Sequence, residues 1–188
     1  QISGLTTAQV AAIETADFAA LSTNGIKGLT ATQIGALTAD QVGALTTDQI
    51  AVMSASQISA FATDDIASLG TAHFEAMTST QIAGLTSAQW AALTTAQIAA
   101  IEPGDMSALT ASAVRGLSTA QIEALTEAQV AALTSSQLAA MSTAQVQGIA
   151  TDDIDNIATA SLRGLTTAQI VALTSEQVGA LTTDQVAA

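Results

Sequence analysis

The chain has 188 residues, 49% of them apolar, enough for one core of ordinary domain size. Three Lys and Arg stand against 16 Asp and Glu, a formal charge of -13 and a pI of about 4.1. That balance excludes nucleic acid, which is bound by neutralising phosphates, and an anionic membrane surface. With no Cys, no Tyr and one His, thiolate, zinc-thiolate and most acid–base chemistry lose their usual side chains, so no enzyme is expected.

The chain opens at Gln1, with no basic segment leading into an apolar core. It reads as a mature product or a piece of something longer. Residues 1–4 match the end of an eight-residue unit. From Leu5 to Ala188 the sequence is 23 octads without insertion or deletion, with the consensus L-T-T-A-Q-I-A-A. Position 1 and position 6 are apolar in all 23, and position 5 is Gln in 15. The stretch from Glu75 to Glu102 carries no charge between its ends. Thr, Ser and Gln break it every few residues, however, and a membrane span needs ~20 predominantly apolar residues. Membrane insertion is not expected.

Each octad reads as a helix start. Thr or Ser at position 2 and Gln three residues later form a capping box: the hydroxyl accepts a backbone N–H and the Gln reaches back. The apolar residues at positions 1 and 6 are the two partners of a hydrophobic staple. Nine of the 12 Gly fall at positions 7 or 8, where a left-handed helix cap is expected. Pro103, the one Pro, falls at position 3, the first helical residue. A single continuous helix fails, because eight residues make about 2.2 turns and the apolar stripe would drift ~80° per octad. A β-solenoid fails on adjacent apolar residues at positions 8 and 1, and on Ala and Gln being poor strand formers. Helices this short are unstable alone and must be held by neighbours. The fold expected is therefore an all-α solenoid of very short helices, one per octad.

Four adjacent pairs of octads depart from the consensus, at 13–28, 61–76, 101–116 and 149–164. Asp replaces Gln at position 5 of each first member: Asp17, Asp65, Asp105 and Asp153. Every basic residue of the chain lies in a second member: Lys27, Arg115 and Arg163. Residues 5–92 and 93–180 align without gaps at about half identity, so 11 octads make a higher unit, and 181–188 starts a third. A feature recurring every five to six octads points to one superhelical turn, or one corner of a folding unit, and so to a single column of irregular pairs.

The acidic residues are the best candidates for chemistry. Asp64, Asp65, Asp152, Asp153 and Asp155 could begin a calcium shell of carboxylate and carbonyl oxygens. No D-x-[DN]-x-[DN]-G loop or glycine-rich nonapeptide accompanies them. Capping by Asp at the positive helix end, and pairing of Asp17 with Lys27, Asp105 with Arg115 and Asp153 with Arg163, account for them better. His73 has no second His or Cys and reads as structural. Trp90 at position 6, and Met53, Met77, Met106 and Met141 at positions 1 or 6, read as core. The Thr of positions 2 and 3 read as caps, with a hydroxyl array for ice or glycans as the alternative. No catalytic residue and no resident cofactor is expected.

The runs LTTAQVAAL, LTTAQIAAI and LTTAQIVAL, broken by IETADFAAL and IEPGDMSAL, resemble the Ala/Thr-rich octapeptide tracts of very large secreted or surface proteins of Gram-negative bacteria, some of them RTX-like adhesins. The resemblance implies an extracellular or cell-surface, Cys-free structural protein. The reading it supports is a stalk or filament subunit. Its partners would be further copies of itself, head to tail, or flanking repeats of a longer chain. The alternative is a binding module that uses an acidic or Thr-rich face for calcium, ice or a glycan.

Overall fold

A computed structural model describes residues 2–188. A short 3-10 turn, Ile2–Gly4, comes first; after it every octad forms one helix, beginning at position 3. Typical examples are Thr7–Ala11, Ala39–Gly43 and Thr95–Ala99. The two octads with Pro103 and Asp153 are tighter 3-10 turns, Pro103–Ala108 and Thr151–Asn156. No strand is present among the described residues, and no helix is long and apolar enough to cross a membrane.

The chain leaves each helix through an extended residue at the N-cap. Thr94, for example, has φ -73° and ψ 158°, and its hydroxyl accepts from Gln97 N while the Gln97 side chain accepts from the Thr94 backbone. Such boxes stand at each consensus octad, so the cap stops one helix and starts the next. Glycine does not. No described residue has a positive φ, and the C-caps are right-handed or extended. The expected left-handed glycine caps are absent because a five-residue helix followed directly by an extended cap leaves no room for a Schellman turn.

The core is a continuous stripe. Position 6 is buried in each octad from Val10 to Ile154, and position 1 from Leu29 to Ile157. Trp90 and the four Met are within it, while Thr7, Asp40 and Glu127 at positions 3 and 4 are exposed.

Helices three octads apart in sequence pack together: Ala55–Ile58 on Ser79–Gly84, and Ser87–Ala92 on Ala111–Gly116. Glycines mark the closest approaches. A Cβ on Gly84 would lie 2.7 Å from Ala55 Cβ, one on Gly116 3.1 Å from Ser87 O, and one on Gly148 2.8 Å from Thr119 Cγ2. Each pair is separated by 29 residues. One superhelical turn is thus about 29 residues, between three and four octads, as in a solenoid whose repeats touch only their neighbours. The irregular pairs, five to six octads apart, therefore do not recur once per turn. The single column expected from the sequence is replaced by two tracks, one for 13–28 with 101–116 and one for 61–76 with 149–164. Eleven octads bring the superhelix round about three times.

Candidate functional site

The position-5 glutamines hold the turns together. Their side-chain oxygen is used locally in the capping box. Their amide nitrogen points the other way, into the turn behind. Gln121 shows both: its Oε1 accepts from Ser118 N at 2.7 Å, and its Nε2 donates to Trp90 O at 2.9 Å and Leu93 O at 2.7 Å. Gln137 bridges Met106 O and Leu109 O, and Gln169 bridges Leu138 O and Met141 O, with the same offsets of 31 and 28 residues. Fourteen of the 15 position-5 glutamines are buried in this way; the fifteenth, Gln9, is exposed. The carbonyls they reach lie where one helix ends and the next cap begins. The position-6 carbonyl already accepts from the next position-1 N–H, as Trp90 O does from Leu93 N at 3.3 Å, and the Gln amide is its second donor. Among the described residues no backbone N–H reaches the position-1 carbonyl, which takes its donor from the Gln. No buried side-chain polar atom among the described residues lacks a partner.

This second use of the glutamine was legible in one respect only. Glu serves a capping box as well as Gln does, yet no octad has Glu at position 5. The exclusion of Glu means that the amide N–H donors are needed.

The irregular octads are gaps in this ladder. At position 5 Asp, Gly, Ala and Ser cannot make the double donation. His73 does half of it: its Nε2 lies 2.8 Å from Leu45 O, 28 residues back, the place of a ladder carbonyl. A structural His satisfies that geometry as the N–H donor.

The expected ion pairs are not among the hydrogen bonds of the described residues. The Asp105 carboxylate accepts from Ser79 Oγ, 26 residues away, and Arg115 lies along a surface groove with Ser118, Thr119 and Met141. Lys27 and Arg163 are exposed at position 7. The reason is directional. Position 5 faces the turn behind, whereas position 7 faces out of its own octad, so residues ten apart do not meet.

Two of the aspartates are electrostatically uncomfortable. Partial burial pushes the Asp65 carboxyl above its ordinary value of 3.8, and the charge of Asp64 adds to this against a backbone hydrogen bond from Ala62. Asp153 is raised by burial first, then by Glu127, Asp152 and Asp155. Asp64, Asp152 and Asp155 are exposed. Among the described residues no group of three or more His, Cys, Asp or Glu is gathered so as to hold a metal ion. Neither the Asp64 and Asp65 pair nor Asp152, Asp153 and Asp155 is part of such a group.

A family model described as the ALTTAQ repeat matches the chain four times, over residues 10–47, 58–95, 98–135 and 154–188. Together these matches span well over half of the sequence. No curated protein matches the chain.

Proposed function

The chain belongs to the ALTTAQ repeat family, and from its repeat geometry we propose that it is a non-catalytic structural element, a bacterial cell-surface stalk or filament subunit that assembles end to end. The observation that carries this reading is the glutamine ladder. From Gln33 to Gln185 the position-5 amides donate 28 residues back and again 30 or 31 residues back, so the turns are tied by a recurring pair of bonds. A solenoid whose repeats bond only to neighbouring turns has no feature that limits its length.

Other features support an extracellular setting. The chain has no Cys to oxidise and only three basic residues. A net charge of -13 opposes lateral clumping and leaves stacking along the axis open. The functional reading needs no cofactor, and its partner is more of the same repeat.

Negative-stain images and light scattering of the purified chain test the reading. Rods of uniform width, growing with protein concentration, are expected. A monodisperse 18.7 kDa monomer at high concentration would reject it. A rise in melting temperature on adding calcium to such a monomer would turn the reading towards an adhesin segment.

A further inference from the structure

Charge is segregated around the superhelix. With three turns to 88 residues, one half of the circumference consists of residues 5–18, 35–48 and 64–77 and, 88 residues on, of 93–106, 123–136, 152–165 and 181–188. Fifteen of the 16 Asp and Glu fall in these segments, and Glu176 is the exception. Successive turns bring them together: the charge of Glu127 acts on Asp153, 26 residues on. The other half carries two bases and one acid, Lys27, Arg115 and Glu176. The octad does not impose this division. Position 4 is exposed in each octad and lies in the first helical turn, where an acid is favoured. On the acidic half it is Asp at 40, 48, 64, 152 and 184. On the other half it is uncharged in every octad but that of Glu176, as at Thr32, Ser56, Ala120 and Ala144. The same half holds the surface groove shared by Arg115, Ser118 and Thr119 of one turn and Met141 and Ser142 of the next.

We propose that the charge-poor half is a lateral interface for a second copy of this chain, so that two superhelices lie side by side with their acidic halves outward. Electrostatics selects that partner and that orientation. Contact through an acidic half would desolvate its carboxylates with only Lys27 and Arg115 of the neighbour's charge-poor half to meet them, and a buried charge without a partner is costly. Contact through the two charge-poor halves buries alanine, threonine and serine side chains and places the two sets of carboxylates on opposite sides of the pair, where salt screens them from each other. A third copy then meets an acidic surface on either flank, so association stops at two. The net charge of -13 thus opposes unordered clumping and permits one ordered contact. This pairing goes beyond end-to-end growth and does not require it.

Two double variants of equal charge test the interface. Ser56→Glu with Ala144→Glu adds two acids to the charge-poor half, and Ala8→Glu with Ala96→Glu adds two to the acidic half. All four residues are exposed at position 4, and the members of each pair are 88 residues apart. Six octads already carry Asp or Glu at position 4, so both proteins should keep the circular dichroism spectrum and melting behaviour of the parent chain. Sedimentation of the full chain at physiological ionic strength should show side-by-side association. The first double variant should weaken it about tenfold or more, and the second by less than about twofold. Negative-stain particles should be two superhelices wide for the parent chain and one wide for the Ser56→Glu, Ala144→Glu protein. Equal weakening by the two double variants, or parent particles one superhelix wide, would overturn the interface. The two readings fail separately. Rods one superhelix wide overturn the pairing and leave end-to-end growth standing. Particles two wide that do not lengthen with concentration support the pairing and overturn end-to-end growth.

Discussion

Replacing Gln121 by Glu isolates the ladder from the cap. The two side chains have the same length, and a carboxylate oxygen can still accept the Ser118 N–H that Gln121 Oε1 now receives at 2.7 Å. What changes is the other end, where an NH2 donating to Trp90 O and Leu93 O becomes an oxygen facing two carbonyls. Two ordinary hydrogen bonds are worth ~1–3 kcal/mol net. The added charge sits where only 4% of the residue is exposed, with no base to meet it. Leaving a buried charge without its partner costs ~3–5 kcal/mol. Gln121→Ala loses the two ladder bonds and the cap, ~2–4 kcal/mol, without introducing a charge. Denaturant unfolding followed by circular dichroism should therefore rank Gln121→Glu as the most damaging at pH 7. The Glu carboxyl would titrate above its ordinary value in this site, so the penalty should shrink as pH falls through that raised pKa. Gln9→Glu is the control, because Gln9 makes the same local cap and no ladder bond. If Gln121→Glu costs within ~0.5 kcal/mol of Gln9→Glu, the ladder does not hold the turns together, since two lost bonds alone should exceed that.

Glycine substitutions should divide by position. A Cβ on Gly164 would meet the Ser135 backbone, so Gly164→Ala should cost ~1–3 kcal/mol, as overpacking does. Gly43 has nothing within 4 Å, so Gly43→Ala should be neutral or gain ~0.5–1 kcal/mol; thermal melts giving both the same sign would contradict the packing. Leu93→Ala, in the core at 4% exposure, should cost ~2–5 kcal/mol in equilibrium unfolding, and a cost under ~0.5 kcal/mol would place the core stripe elsewhere. Asp65 and Asp153 have raised pKa values in the fold, so the stability they add is present below the ordinary carboxyl pKa of 3.8 and is lost as pH rises through the raised values. Melting temperature should increase as pH is lowered from 7 towards 4, and Asp153→Asn should flatten that increase; a fall in melting temperature over the same range would refute it.

The octad phase was readable because three local signals coincide in every unit: the hydroxyl, the Gln three residues on and the flanking apolar pair. Helix start, burial of Leu93 or Trp90 and exposure of Glu127 follow from those alone. The turn length was not readable. It is set by how far a Gln side chain reaches and how closely two backbones approach, and neither leaves a trace within one octad. The glycines were misread for a related reason. Position 8 is both the end of a helix and the residue that touches the turn behind. The sequence shows only the first, while Gly84 over Ala55 and Gly164 over Ser135 show the second. A spacing of ten residues, as between Asp17 and Lys27, carries no information on the direction in which the two octad positions face.

The mismatch between eight and about 29 decides which octad positions meet on consecutive turns. A residue 29 places behind position 8 is at position 3, so unlike positions meet on consecutive turns. Gly148 over Thr119 and Gly116 over Ser87 are such meetings. Where the approach is as close as at Gly148 and Gly116, the position-8 residue has no room for a Cβ. Like meets like only when the number of octads and the number of turns are both whole. Eleven octads, 88 residues, over three turns gives about 29 residues per turn, between the ladder offsets of 28 and 31. A change in one octad is therefore felt by unlike positions one turn away. Gly28 and Gly116, Asp17 and Asp105, and Met53 and Met141 each recur at that spacing. The higher repeat thus returns each octad, three turns on, to nearly the same side of the superhelix.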